Sequence, residues 1–286
     1  MGKIFLGKCD WTAISTIGLL FLVGCETSNA PGPTVEATPK YSLNDTGVTK
    51  FSGSPTPITA SQPAAPALTT TSQNDHPGQD ADNGRDATAN DDSDGKAGFS
   101  FSKLDDTGKP LADQTVNYNT QAWNCVRDNV TGLTWEVKAA TNGPRYYANK
   151  YTWYDTDPTT NGGGAGSEGD DIICGKTLAS CNTQAYKTYL NTLDSNKGLC
   201  GFKDWRLPTR EELRSIVNYG AAASPLIDES FLGKTEATDH WTSQTALYRD
   251  DKTGDAWELH FDTGQSEAHG KGSKSVDVRM VRGPSL

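Results

Sequence analysis

Trp205-Arg206-Leu207-Pro208-Thr209-Arg210-Glu211-Glu212-Leu213 carries the strongest local structural signal in the chain. Pro208 locks its own φ and pushes Leu207 out of the helical region, so the chain is extended on entry. Thr209 then stands where a helix N-cap belongs. Glu212, three residues on, completes a capping box, its carboxylate reaching back to the Thr209 amide. Glu211 and Glu212 put negative charge in the first turn, where the helix dipole favours it. Leu213, Ile216 and Val217 follow at helical spacing as one apolar stripe, and the helix is predicted from Thr209 to about Tyr219. Arg206 alternates away from Trp205 and Leu207 and is expected to pair with a carboxylate. The motif is therefore a strand end, a rigid joint and a helix start.

Working outward, Ala122–Arg127 and Leu133–Val137 read as two strands around the turn Asp128-Asn129-Val130-Thr131-Gly132, whose Asx chemistry and glycine suit a reversal. Asn182–Asn196 reads as a helix, with Tyr186, Leu190 and Leu193 near helical spacing and Lys197-Gly198 as its stop. His240–Ser243 and Ala256–Phe261 read as strands, Asp262–Gln265 as a turn, and Val276–Arg282 as a strictly alternating final strand. Trp123, Trp135, Trp205, Trp241 and Trp257 sit in or beside these strands and are expected in the core. His240, His260 and His269 are dispersed and form no evident ligand set.

The N-terminus carries an address. Lys3 and Lys8 precede an apolar run, Ile14–Val23, too short to span a bilayer, and Leu22-Val23-Gly24-Cys25 ends it as a bacterial lipobox would. Residues 1–24 are thus expected to be a lipoprotein signal peptide, with Cys25 diacylated and Glu26 favouring the outer membrane or cell surface. Residues 25–114 read as a disordered tether: prolines interleaved with Ser, Thr and Ala, then an Asp/Asn-rich part, with little apolar surface to offset the entropy of ordering. Residues 115–286 are the expected folded domain. Hydrophobic residues make up only 34% of the 286, which fits a chain that is folded in part. The net charge of −10 argues against nucleic acid, whose phosphates require a basic face.

Of the 6 Cys, Cys9 leaves with the signal and Cys25 takes lipid, so Cys125, Cys174, Cys181 and Cys200 remain for an oxidising compartment. Of three possible pairings we expect Cys174–Cys181 as a local staple and Cys125–Cys200 as a long one. The loop 155–172 is rich in glycine and holds Asp155, Asp157, Glu168, Asp170 and Asp171, oxygen donors of the kind calcium takes. It does not follow EF-hand spacing, and a solvated surface loop is the plainer reading. Beside it, Tyr151, Trp153 and Tyr154 form an aromatic strand that either packs in the core or stacks on a sugar ring.

Four motifs in order carry a resemblance: Thr131–Trp135, Asp204–Leu213, His240–Ser243 and Val278–Gly283. Together they resemble the Lcl C-terminal domain family over about Thr115 to Gly283. The namesake is the terminal domain of a bacterial collagen-like surface adhesin, and its family usually shows Tyr where His240 stands. The Arg-Leu-Pro-Thr joint and the Val-Arg ending also resemble the sulfatase-modifying-factor family. Both resemblances imply an α+β, C-type-lectin-like fold: a twisted antiparallel sheet, two helices and long loops. The cysteine pair of the formylglycine-generating enzymes has no counterpart after Cys200, so that chemistry is not carried over. The expected function is a surface-tethered, non-catalytic binding or adhesion domain for a glycan or protein ligand. The alternative is an envelope accessory lipoprotein that docks on a secreted or surface assembly.

Overall fold

The computed structural model describes residues 44–48, 51–52, 68–69, 84–88, 91–247 and 254–286, and within it the expected hairpin forms the middle of a four-stranded sheet. The expected signal segment, Cys25 and most of the expected tether lie outside the described residues. Two short strands, β1 Phe51–Ser52 and β2 Leu68–Thr69, pair antiparallel, and α1 is the single turn Arg85–Thr88. The sheet itself is β3 Phe101–Leu104, β4 Cys125–Asp128, β5 Thr134–Glu136 and β11 Val281–Arg282, in spatial order β11-β5-β4-β3 and antiparallel throughout. Asp128 makes the hairpin turn as expected: its Oδ1 accepts from the amides of Val130 and Thr131, and Gly132 takes φ +76°.

β3 corrects the expected start at Thr115. Phe99, Phe101 and Leu104 are buried, and Leu104 stands opposite Cys125. The Asp/Gly run before them masked an alternating Phe-Ser-Phe-Ser pattern that closes the sheet edge. Part of the expected tether also touches the body, since Asn44 Nδ2 donates to Asp128 Oδ2 and the Tyr219 amide donates to Thr46 O.

The helices are shorter than their patterns. Asn182 caps α2 Thr183–Asn196, accepting from Ala185 N at 2.8 Å, but the regular turns stop before Leu193, and Asp194 and Ser195 take positive φ. α3 covers only Arg210–Arg214, yet Ile216 and Val217 remain buried in the turns that follow, so the apolar stripe is kept without the helix. A third short helix, α4 Glu229–Leu232, is capped by Asp228. The capping box at Thr209 forms: Glu212 N donates to Thr209 Oγ1 at 3.1 Å and Thr209 N to Glu212 Oε2 at 2.8 Å. Arg206 pairs bidentately with buried Glu212, both bonds 2.7 Å, and its backbone exchanges two 2.9 Å hydrogen bonds with Val281. The joint is thereby stitched to the sheet edge.

A second, three-stranded antiparallel sheet comprises β7 Asp239–Ala246, β8 Asp255–His260 and β9 Ser266–Gly270 in that order. The last segment is not one alternating strand. β10 Ser275–Val276 pairs with β6 Tyr151–Thr152, β11 joins the first sheet, and residues 276–281 between them are buried on every side because the chain threads between sheets. Hence Arg279 is fully buried, donating to Glu136 O, Leu232 O and Thr235 Oγ1 at 2.7–2.9 Å. Four of the five expected core tryptophans are buried; Trp257 is half-buried with the Arg210 guanidinium 4.7 Å from its ring centre. Both expected disulfides are present, Cys125–Cys200 and Cys174–Cys181. The first anchors β4 to the segment that feeds Trp205.

Between the two sheets lies a sealed charge centre. Glu136 is fully buried, with Lys138 Nζ at 3.5 Å and Arg145 Nε at 3.6 Å; its Oε1 accepts from the Tyr186 hydroxyl and its Oε2 from Met280 N. Burial pushes this carboxyl up, but Lys138, Arg145 and the two hydrogen bonds outweigh it and hold it below the usual range. Burial likewise pushes Lys138 down to about 8.

Candidate ligand-binding groove

Where β6 ends, the chain leaves Trp153 in the core and brings Tyr154 to the surface beside the first turn of α2. Thr183 fixes that junction twice, accepting from Tyr154 N and donating to Tyr154 O, each at 2.9 Å. Gln184 holds the next step by accepting from Thr156 N at 2.9 Å. Opposite, the Leu207–Thr209 joint is tied to β7 through Ser243 N and Pro208 O at 2.8 Å. Between these walls lies a groove of about 270 Å³. Tyr154 supplies an aromatic face, Thr160, Thr183 and Ser243 supply hydroxyls, and Lys187 and Asp155 supply opposite charges. Such a lining can stack on one face of a ring and hydrogen-bond to several polar groups at once.

The expected ligand residues divide. Tyr151 and Trp153 are core, at 0% and 1% exposure, with Trp153 Nε1 donating to Thr242 O; Trp153 lies at the base of the groove, and half-buried Tyr154 alone of the three is open to a ligand. The five acidic residues do not converge. Asp155 accepts from Asp157 N and Thr160 Oγ1, Asp157 from Thr159 N and Oγ1, and Asp170 from Ile172 N, so these carboxylates cap turns. Glu168 is exposed and Asp171 half-buried. The cation around which the glycine-rich segment is ordered is instead Lys271. Its buried Nζ donates to Asn161 O, Gly164 O and Thr245 Oγ1 at 2.8–2.9 Å and sits 4.0 Å from the Trp153 ring centre. Nothing in the loop's own sequence signals that ammonium, which arrives from 110 residues away.

Residues 124–282, more than half of the chain, match the Lcl C-terminal domain. The chain belongs to the Lcl C-terminal domain family. No curated protein matches it. Within this Lcl C-terminal domain the four recognised motifs are structural neighbours: Trp135 faces Val281 in the sheet, Arg206 bridges to Val281, and Ser243 N donates to Pro208 O. His240 is buried edge-on to Phe261 at 4.7 Å, an aromatic contact at the position where Tyr is usual. Burial, with Arg279 and Lys150 nearby, holds its pKa well below the ordinary histidine value.

The histidines expected to be dispersed are partly gathered by strand register. Asp239, Glu258 and His260 offer ligand atoms within 4.8 Å of one another. The signal for this was the alternation Glu258-x-His260 on a strand beside a second strand beginning at Asp239. Among the described residues no helix is long and apolar enough to cross a membrane.

Proposed function

We propose that this chain is a bacterial lipoprotein held at the outer membrane or cell surface through acylated Cys25, and that its Lcl C-terminal domain is a non-catalytic, C-type-lectin-like head binding a glycan or protein ligand. The observation that carries this reading is the groove at Tyr154, with its aromatic face, hydroxyl rim and two opposite charges beside the Arg-Leu-Pro-Thr joint. The mixture of small antiparallel sheets, short helices and long irregular loops is consistent with a lectin-like body. The groove's walls are held by hydrogen bonds that Thr183, Gln184 and Ser243 make with adjacent backbone, so little ordering is required on binding.

A glycan array and a cell-adherence assay on the whole chain test the proposal. Binding is expected, and Tyr154→Ala should weaken it roughly fivefold, as loss of an aromatic contact worth about 1 kcal/mol implies. Blank results in both assays, or binding indifferent to Tyr154→Ala and Lys187→Ala, remove the groove from the account. Mass spectrometry of the mature N-terminus tests the anchor: it must begin at Cys25 and carry fatty acid.

A further inference from the structure

One face of the three-stranded sheet concentrates groups that have no part in the groove. In register, Asp239 stands opposite His260, and Glu258 stands opposite Glu267. Alternation puts Glu258 and His260 on one face of β8, and Glu267 and His269 on the same face of β9. Like charges directly across a strand pair are destabilising unless something positive lies between them. His269 Nδ1 contacts Glu258 Oε1, which brings a second imidazole to the cluster.

Two features set this cluster apart from an ordinary surface network. Glu258 is fully buried, and among the described residues its Oε2 accepts no hydrogen bond. A buried carboxylate oxygen without a partner is costly. The other feature concerns His260. Its Nδ1 lies 2.7 Å from Asp262 Oδ1 and its Nε2 faces Asp239 Oδ1, so the ring stands between two carboxylates with one nitrogen turned into the cluster. An imidazole oriented by a carboxylate on its far nitrogen is the usual outer-shell arrangement of a metal ligand.

The positive charge in this place is Lys274. Its Nζ sits 2.5 Å from Asp239 Oδ2 and 2.6 Å from Glu258 Oε1. The side chain follows the turn after β9 and is 29% exposed, so it can swing outward without disturbing the strands.

We propose that Asp239, Glu258 and His260, with His269 at the rim, form a binding site for a first-row divalent metal ion of the zinc type, and that Lys274 is the displaceable cation that fills it otherwise. Two imidazoles beside two carboxylates suit zinc and its neighbours; calcium and magnesium take oxygen ligands. The proposal is independent of the groove and of its ligand.

Calorimetric titration of the whole chain with zinc chloride, alongside calcium chloride, tests it, with melting temperature as the second readout. One zinc per chain is expected, with a rise in Tm, and no response to calcium. His260→Gln and Glu258→Gln should abolish binding; His260→Gln, at a 30% exposed side chain, keeps the test readable if the other variant does not fold. Asp262→Asn should weaken binding by about tenfold or more. Lys274→Ala decides between a metal site and a purely structural ion-pair network: it should melt lower than wild type without metal, bind zinc more tightly, and recover its Tm when zinc is added. Absence of zinc binding, zinc binding unchanged in His260→Gln, or a Lys274→Ala variant that zinc does not rescue would each overturn the proposal.

Discussion

Glu136 and Glu258 are both fully buried strand carboxylates, and their surroundings treat them oppositely. Glu136 has Lys138, Arg145, the Tyr186 hydroxyl and Met280 N around its two oxygens, and its pKa is lowered although burial pushes it up. Glu258 has Lys274 and His269 on one oxygen and, among the described residues, no hydrogen-bond partner on the other; burial pushes its pKa up. The first centre is closed between two sheets and serves the fold. The second lies on a sheet face with an exchangeable lysine. The pair teaches that a buried charge marks a binding site only where its partners leave a lone pair unmet.

The largest expected effect breaks the closed centre. Glu136→Gln strands Lys138 and Arg145 and should lower stability by about 3–5 kcal/mol in urea denaturation; zinc should not restore it. Next come the staples. Cys125 and Cys200 are separated by 75 residues and lock the sheet that carries Glu136, so replacing both with Ser should lower stability by roughly 2–4 kcal/mol. The Cys174–Cys181 pair closes a separation of 7 and should matter less; equal losses would contradict the chain-entropy account. Glu258→Gln, at the open centre, should stay within about 1 kcal/mol of wild type without metal, because the fold already disfavours its charged form. The smallest effects are in pH. Lys138 titrates at about 8 in the fold and near its ordinary 10.5 when unfolded, so unfolding takes up a proton across that window and stability should rise with pH from about 8 toward 10. Lys138→Met should flatten that slope. The lowered carboxyl of Glu136 acts at the other end: its contribution is full above the unfolded value of about 4.3 and is lost as acid protonates it below that. Glu136→Gln should flatten the acid limb.

Local chemistry was legible in the sequence. The Thr209 capping box, the Asp128–Gly132 turn, the Asn182 helix start and both disulfides follow from residues a few positions apart or from cysteine parity. What depends on tertiary register was not. Lys271 enters the glycine-rich loop from the far side of the second sheet, and Arg279 turns inward because the last segment threads between sheets. Asp239 and His260 meet only because β7 and β8 pair in one register. In sequence Tyr151, Trp153 and Tyr154 form one aromatic run, and alternation alone does not say that the chain leaves the core one residue after Trp153. Composition misplaced the domain start, since the acidic run up to Lys96 hid the two phenylalanines that begin the first sheet.

The contrast between the two glutamates is tested most directly by anomalous diffraction from crystals of the chain grown with zinc. One strong peak is expected within coordination distance of Asp239, Glu258 and His260, with the Lys274 ammonium displaced, and no peak at Glu136 or in the 155–172 loop. A map blank at Glu258, or one whose zinc lies at the loop carboxylates, would contradict it.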